Sequence, residues 1–319
     1  MDQGIKNSSG SGRKSAIAAD YFFLLRPMIL IPVWTFFLLG AYHGGESSGT
    51  GSDTSGMLAG VVSFSLLIGA VYIINQITDR KTDLENDKLF LLPREIVSVR
   101  AAVTETILLT AASFIIAVLF MPLSFNIILL ASLILGMAYS MEPVRFKKRP
   151  FCDIASNAAG IGILAPLAGW TAIGAEISGV LILLPYPLAV ASVHLVTTLA
   201  DIEGDRSSGL TTSGVMLGGS RTIILAVLLM LGGLLASFLV DNPVSLYAII
   251  LSLPFYLVLA GRDKTKETRV LLPAKTTTLI FAISAGVVFR LFIPFLAAMI
   301  LLTQFYYRKR FGISYPSFK

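Results

Sequence analysis

Asn75-Gln-Ile-Thr-Asp79-Arg-Lys-Thr-Asp83 ends an apolar run that begins at Met57. Asn75, Asp79 and Asp83 are spaced four positions apart, and on a helix the side chains at i and i+4 lie on one face. One amide and two carboxylates are therefore predicted to project together at the point where a membrane helix meets water.

A second acidic stretch, Asp201-Ile-Glu-Gly-Asp205, has the same spacing and ends the apolar run from Ile177 to Ala200. For either stretch alone, a solvated helix end with ordinary charges is an equally good interpretation. Two pairs at the same end of two membrane helices favour a divalent-metal site, because carboxylate oxygens are ligands of hard cations. Such metal ions would bridge the carboxylates to a diphosphate and stabilise it as a leaving group.

The composition is that of an integral membrane protein. Of the 319 residues, 55% are hydrophobic and 14% are charged, and the mean hydropathy is +0.79, whereas soluble domains carry about 25% charged residues. The single cysteine, Cys152, excludes an internal disulfide and a cysteine metal site. The two histidines, His43 and His194, are too few for a histidine cluster, and we interpret His194 as packed or hydrogen-bonded within the bundle. A bound metal would therefore be held by carboxylates, which points to Mg²⁺.

A membrane-spanning helix needs about 20 predominantly apolar residues. The sequence contains nine such segments, at residues 20–42, 57–78, 99–121, 124–141, 153–173, 177–202, 221–240, 243–262 and 276–306. We therefore predict an all-α, multi-pass membrane protein with about nine transmembrane helices. Its membrane domain is expected to span residues 17–307, between a disordered polar tail at 1–16 and a basic tail at 308–319.

The charges of the loops predict the orientation of the protein in a membrane. The segment 43–56 has no Lys or Arg, whereas the loops after the second, fourth, sixth and eighth predicted helices are basic. The positive-inside rule places the basic loops, and with them both acidic stretches, in the cytoplasm. Nine helices then leave the C-terminus outside, which conflicts with Arg308-Lys309-Arg310; either the last helix is miscounted or this tail is an exception. Arg290 lies deep in the last predicted helix, where a charge is costly, and is expected to face the bundle interior or a water-filled cavity.

Basic residues near the acidic stretches are candidates for binding a diphosphate. Arg145 and Lys147 follow Tyr139 and the helix-ending Pro143 at the predicted cytoplasmic end of the fourth helix. Positive-inside topology or contact with lipid headgroups also explains basic residues here, and that explanation is strongest for Lys148. The candidates for diphosphate binding are Asn75, Lys88, Arg94, Arg145, Lys147 and Arg206.

Taken together, the motifs resemble those of the UbiA superfamily of intramembrane prenyltransferases. The two aspartate motifs match in order and spacing, and the loop that begins at Tyr139 resembles the family's loop after helix four. The resemblance extends from Arg26-Pro27 in the first predicted helix to the seventh predicted helix. Members of the family have nine helices, the number predicted here. One departure follows the first motif, where many members have an Arg-Pro pair and a glycine. This chain has Pro93-Arg94-Glu95 there. The resemblance therefore does not say which basic residues of this loop contact the diphosphate.

The resemblance implies a reaction and roles for individual residues. An allylic polyprenyl diphosphate would bind through Mg²⁺ and ionise, and a lipophilic acceptor would attack the resulting allylic cation. Tyr139 would shield the cation with its ring face, and the apolar helices would exclude water. Both substrates would meet in the lipid bilayer, with no nucleic acid involved. The four aspartates and Tyr139 would be catalytic, and the metal ligands would be Asn75, Asp79, Asp83, Asp201 and Asp205.

Two other classes of function stay open on the sequence alone. A transporter or channel can use intramembrane acids to bind ions or anionic lipids, although transport acids typically lie near the midplane on broken helices. A non-catalytic scaffold that keeps the motifs is a third interpretation. Within the family, the acceptors include quinone-ring precursors, tetrapyrroles, carotenoids and glycerol lipids, and the motifs select neither among these nor among donor chain lengths.

Overall fold

The computed structural model describes residues 15–49, 54–85, 91–207, 209–260 and 270–316, and the structural statements below refer to these ranges. Within them the regular secondary structure is entirely helical. Eight of the helical segments are long and apolar enough to cross a membrane. The all-α, multi-pass architecture predicted from the sequence is thereby confirmed.

Several helices begin at a proline, as Pro27, Pro185 and Pro243 do, because the first turn of a helix does not need the missing N–H. The sixth helix contains a π-helical segment at Ala158–Leu164. In chain order the helices are α1 (Ala18–Leu24), α2 (Pro27–Ser48), α3 (Thr54–Glu85), α4 (Val99–Phe120), α5 (Leu123–Ser140), α6 (Cys152–Ala172), α7 (Pro185–Leu199), α8 (Ile202–Ser207), α9 (Ser213–Leu239), α10 (Pro243–Ala260), α11 (Leu272–Val288) and α12 (Phe292–Phe311).

Two of the predicted segments are each split in two. The segment 20–42 is broken at Arg26 (φ 57°), because the residue before a proline is disfavoured in the helical region, and Pro27 starts α2. The predicted single helix 276–306 is wrong: α11 ends and α12 begins around Arg290. Arg290 is exposed in this turn and lines a cavity of about 780 Å³, so it does not pack in the bundle interior; the alternative, that it faces a water-filled cavity, stays a prediction. The break spares the protein a charge in the middle of a membrane helix.

The return of α12 brings the C-terminal part of the chain back to the N-terminal part. The buried Asp20 of α1 accepts hydrogen bonds from the Tyr306 hydroxyl at 2.6 Å and from Arg310 at 2.8 Å. Arg310 also donates to the Ser15 carbonyl oxygen at 2.7 Å, and the rings of Phe23 and Tyr306 are stacked with centroids 3.8 Å apart. The conflict over the basic C-terminal residues therefore comes from a miscounted last helix.

Close contact between the backbones of α2 and α6 forms the centre of the bundle. A Cβ atom at Gly169 would lie 1.8 Å from the Phe37 carbonyl oxygen, and one at Gly40 would lie 1.9 Å from the Pro166 carbonyl oxygen. Only glycine fits at these two crossing points, as is usual where membrane helices pack closely. Larger apolar side chains fill the space on either side, with Phe37 fully buried.

The outer surface of the bundle is apolar. At the end of α4, for example, Val118, Leu119 and Phe120 are 66–71% exposed. Such a continuous apolar exterior would cause aggregation in water and is the expected surface for contact with lipid.

Candidate active site

Both acidic motifs line one cavity of about 380 Å³, here called the acidic cavity. Asp79 and Asp83 reach it from the last turns of α3, which continues past the predicted end at residue 78. Asp201 and Asp205 reach it from the chain that follows α7. The four aspartates that the sequence singles out are therefore brought together at one end of the bundle.

Two of the predicted basic residues contact the first motif directly. Lys147 Nζ donates to Asp79 Oδ1 at 2.6 Å and to Thr78 Oγ1 at 3.2 Å. Arg145 lies 3.4 Å from the same Asp79 oxygen and 2.9 Å from Glu142 Oε1. Burial lowers the pKa of Lys147, and the negative charge of Asp79 opposes that shift. The acidic cavity thus contains basic side chains in direct contact with one of its carboxylates.

The second motif lies at an interruption of the helix. α7 ends at Leu199, and Asp201 occupies the turn before α8. The Asp205 N–H donates to the Asp201 carbonyl oxygen at 2.8 Å, so one helical turn still separates the two aspartates. Asp205 Oδ2 accepts a hydrogen bond from Thr212 Oγ1 at 2.9 Å, which connects the motif to the start of α9.

Of the remaining predicted binding residues, the three that the structure describes do not line the acidic cavity. Asn75 donates to Ser140 Oγ at 3.2 Å and lines two neighbouring cavities. Arg94 and Arg206 are exposed and do not line the acidic cavity. Lys88 lies outside the described residues.

The loop that departs from the family pattern adopts a conformation that suits a glycine. Glu95 has a φ of 53°, which is in the left-handed region that glycine adopts most readily. Its carboxylate accepts a hydrogen bond from Arg80 at 2.6 Å. Glu95 therefore adopts a backbone conformation that a glycine would adopt readily, and its side chain binds Arg80.

A largely apolar cavity of about 240 Å³, here called the central cavity, adjoins the acidic cavity. Tyr139 lines both cavities, and its hydroxyl accepts a hydrogen bond from the Asn157 amide at 3.4 Å. Val33, Val71 and Leu135 are among the apolar residues that line the central cavity. Tyr139 therefore lies at the boundary between a polar cavity and a largely apolar one.

Three further titratable residues that line the acidic cavity are not assigned to it by the sequence: Asp153, Lys148 and His194. Positive-inside topology alone therefore does not account for Lys148, which lines the acidic cavity. Asp153 is buried and accepts hydrogen bonds from the Ser213 N–H at 3.1 Å and from the Ser213 hydroxyl. A lone carboxylate at the start of an apolar segment is the signal that identifies it. His194 Nε2 is buried without a hydrogen-bond partner in the described part of the chain, so a hydrogen bond from this atom is not found.

The oxygen donors of the acidic cavity fit magnesium by their chemistry. Among the described residues, no three His, Cys, Asp or Glu side chains lie close enough to enclose a metal ion. Magnesium does not require such a cage, because it is commonly bound by one or two carboxylates and completed by substrate phosphate oxygens and water. The aspartates of the acidic cavity therefore fit magnesium in the type of oxygen donor that they offer.

Three relatives align with much of the chain. It is 33% identical over 160 residues to the lycopene elongase/hydratase of Haloarcula japonica, covering 50% of this chain and 53% of that protein. It is 29% identical over 198 residues to the bacteriochlorophyll synthase 34 kDa chain of Chloroflexus aurantiacus, covering 61% and 63%. It is 29% identical over 212 residues to the digeranylgeranylglyceryl phosphate synthase of Natronomonas pharaonis, covering 64% and 70%. The chain thus spans between about half and 70% of these relatives' lengths.

Solved structures and a family model identify the fold and the family. A UbiA homologue from Archaeoglobus fulgidus bound to GPP and Mg²⁺ superposes with a TM-score of 0.66 at 23% identity, over 84% of this chain and 99% of that one. The model of the UbiA prenyltransferase family matches residues 29–271, which is more than half of the chain. The resemblance carried by the two aspartate motifs is therefore confirmed, and the chain belongs to the UbiA prenyltransferase family.

Proposed function

We propose that the protein transfers a polyprenyl group from an allylic polyprenyl diphosphate to a lipophilic acceptor, with Mg²⁺ as cofactor and diphosphate as the second product. The observation that carries this proposal is the junction of the acidic cavity with the central cavity at Tyr139. The polar end of a prenyl diphosphate matches the first cavity and its hydrocarbon chain matches the second. Membership of the prenyltransferase family supports the same reaction.

The aspartates and the cations divide the binding of the diphosphate between them. Magnesium, when bound, supplies the charge that joins carboxylate to diphosphate and stabilises diphosphate as it leaves. Asp79, Asp83, Asp201 and Asp205 hold the metal, and Asn75 lies one turn before Asp79 as a neutral ligand or donor. The cations proposed to neutralise diphosphate oxygens are Arg145, Lys147 and Lys148 in the acidic cavity, with Lys88, Arg94 and Arg206 as further candidates.

Tyr139 stabilises the allylic cation, and the central cavity protects it from water. When the carbon–oxygen bond of the donor breaks, the electron pair leaves with the diphosphate and positive charge develops on the allylic carbon. The face of the Tyr139 ring attracts that charge. The apolar walls of the central cavity keep water from converting the cation to an alcohol. The acceptor then forms the new bond and loses a proton.

The rival interpretation, a transporter or channel, is less well supported. The acids of a transport site typically lie near the midplane of the membrane. Here the first motif ends α3, and Asp79 is bonded to Lys147 of a loop at 2.6 Å. A carboxylate that is already bonded to a basic loop is better suited to binding a metal–diphosphate complex than to passing an ion.

We further propose that the acidic cavity faces the cytoplasm. The basic loop that carries Lys147 lines this cavity, as the positive-inside rule requires of a cytoplasmic site, while the segment 43–56 lacks Lys and Arg. Single cysteines that replace Thr50 and Lys266, introduced in a Cys152→Ser background, should react with a membrane-impermeant thiol reagent from opposite sides. Labelling of position 50 only after permeabilisation would reverse the orientation.

The reaction itself is tested with the full chain in phospholipid nanodiscs and geranyl diphosphate as donor. With a lipid extract from cells that lack this gene as the source of acceptor, we expect release of diphosphate and formation of a geranylated lipid in the presence of Mg²⁺, neither after EDTA, and recovery when Mg²⁺ is added back. Equal release with and without EDTA would contradict the mechanism. Mass spectrometry of lipid extracts from cells with and without this gene then identifies the natural acceptor, because its prenylated form is missing from the cells without the gene.

A further inference from the structure

Another apolar cavity lies beside the acidic and central cavities. This cavity of about 170 Å³, here called the inner cavity, is lined mainly by apolar side chains, among them Phe36 of α2, Val190 of α7 and Phe281 of α11. Asn157 and Ile161 line both the inner and the central cavity. The inner cavity therefore adjoins the central cavity on the side of α6.

His194 lies where the inner cavity meets the acidic cavity, because its side chain lines both. It projects from the face of α7 that also carries Val190 and Thr197, four positions before it and three after it. Of the described residues that line the inner cavity, His194 alone is ionisable. Its Nε2 atom is buried and has no hydrogen-bond partner in the described part of the chain. A buried polar atom without a partner is costly, so its presence calls for an explanation.

The carboxylates of the acidic cavity are engaged in other interactions. Asp79 bonds Lys147 at 2.6 Å, and Asp153 accepts hydrogen bonds from the N–H and the hydroxyl of Ser213. The other carboxylates of this cavity are proposed above to hold metal: Asp83, Asp201 and Asp205. The imidazole of His194 is therefore the proton acceptor best placed between the polar site and the apolar space.

We propose that His194 is the base that takes the proton from the acceptor during prenyl transfer. The proposal rests on the prenyl transfer proposed above and adds a catalytic residue to it. The carbon–oxygen bond of the donor breaks and its electron pair leaves with the diphosphate, while an electron pair of the acceptor forms the new bond to the allylic carbon. The bond that holds the acceptor's proton then breaks, and its electron pair stays on the acceptor. The proton moves to the unprotonated ring nitrogen of His194 and from there to water in the acidic cavity, which restores the neutral ring.

Imidazole is suited to this task because its ordinary pKa, about 6.5, leaves it mostly neutral at pH 7. A neutral imidazole has one ring nitrogen that can accept a proton. On the polar side of the ring, a carboxylate such as Asp153 favours the imidazolium while it exists. On the other side, the apolar inner cavity keeps water away from the acceptor.

The test uses the full chain in nanodiscs with Mg²⁺, geranyl diphosphate and a lipid extract from cells that lack this gene as the source of acceptor. His194→Ala and His194→Gln should each lower the rate at which geranylated lipid forms about 10²- to 10⁴-fold, the usual contribution of a general base. KM for geranyl diphosphate and the Mg²⁺ concentration for half-maximal activity should stay unchanged, because His194 is not proposed to bind either.

Added imidazole distinguishes a base from a residue that only supports the fold. His194→Ala leaves a space at the border of the inner cavity, and imidazole that enters it should raise the rate of this variant at least about tenfold. His194→Phe fills the same space with a ring that cannot accept a proton, so imidazole should not raise its rate.

The matched control is His43→Ala, which removes the chain's other histidine. His43 is also buried, but its Nε2 lies 2.7 Å from the Tyr186 hydroxyl and it lines none of the acidic, central and inner cavities. The folded fraction of this variant, isolated by size-exclusion chromatography, should form geranylated lipid at the wild-type rate and should not respond to imidazole. If the wild type itself forms no geranylated lipid, the proposed function fails, which is a different result from a loss confined to the His194 variants.

Three results would overturn the role of His194 while leaving prenyl transfer intact. Wild-type rates in His194→Ala and His194→Gln would assign the proton to another acceptor, such as the departing diphosphate. A loss explained by a higher donor KM or a higher Mg²⁺ requirement would assign the ring to the binding of diphosphate or metal. A loss in His194→Ala that imidazole does not reverse would reduce His194 to a packing residue of α7.

Discussion

The two acidic motifs have the same spacing but are carried by different backbones. The first occupies the end of the continuous helix α3, and Lys147 binds its Asp79 at 2.6 Å. The second lies in the turn and short helix after α7, and the Thr212 hydroxyl binds its Asp205 at 2.9 Å. One motif thus lies on a continuous long helix, and the other lies on a turn and a short helix.

This difference suggests that the motifs contribute unequally to the order of the site before substrate binds. A helix end is held by successive i to i+4 hydrogen bonds, whereas a turn depends on a few specific contacts. Both motifs are nevertheless expected to be essential once metal and diphosphate are bound, because each supplies carboxylates that the metal needs.

The largest effect is expected from neutralising one carboxylate in each motif. Asp79→Asn and Asp201→Asn should each lower kcat for prenyl transfer by at least about 10³-fold, because metal-mediated charge stabilisation contributes several kcal/mol, at about 1.4 kcal/mol per decade of rate. Asp241→Asn is the matched control: Asp241 is exposed in the turn between α9 and α10 at φ 52°, a conformation that asparagine tolerates. If one of the two motif variants keeps high activity while the other loses it, the two motifs do not contribute equally to the reaction.

The comparison of the motifs also shows what the sequence predicts well. The i, i+4 spacing of Asp79 and Asp83 correctly predicts a helical face, because α3 is long and apolar and its end is marked by the first charges. The same rule applied to Asp201 and Asp205 correctly predicts one helical turn between them. It does not predict that α7 ends at Leu199, since nothing in the local residue types requires a break there.

Contacts between distant parts of the chain lie beyond what the sequence predicts. Lys147 and Asp79 are 68 positions apart, and periodicity gives no reason to pair Asp79 with Lys147 rather than with the nearer Arg80, which instead binds Glu95. Arg26 and Tyr307 likewise line one cavity because α12 returns to the N-terminal part of the chain. That return follows from a break at Arg290, which a hydropathy window over one apolar run does not resolve.

An intermediate effect is expected at Tyr139, which belongs to neither motif and borders the acidic and central cavities. If its ring shields the allylic cation, Tyr139→Phe should keep most of the rate, because the ring face survives and only the hydrogen bond from Asn157, at 3.4 Å, is lost. Tyr139→Ala should lower the rate about 2- to 30-fold, the effect of a cation–π contact of roughly 0.5–2 kcal/mol. Water that enters the enlarged site should also raise the yield of geraniol.

One assay of prenylated product and geraniol for both Tyr139 variants decides this role. Equal loss in Tyr139→Phe and Tyr139→Ala, without extra geraniol, would assign the hydroxyl to the diphosphate and remove the shielding role. Tyr139→Phe should then bind the diphosphate less tightly, which is measured as a higher KM for the donor. Either result distinguishes the stabilisation of the cation from the metal binding that the two motifs share.

The smallest effect is expected at Thr212, whose hydroxyl positions the second motif. Thr212→Val keeps the shape of the side chain but removes the hydrogen bond to Asp205 Oδ2. Because such a bond contributes about 0.5–1.5 kcal/mol, the Mg²⁺ concentration for half-maximal activity should rise about 2- to 10-fold, with kcat at saturating Mg²⁺ nearly unchanged. Thr211→Val, at the exposed neighbouring position, should have no effect. If both variants match the wild type, the turn holds Asp205 without its hydroxyl partner, and the second motif is as firmly ordered as the first.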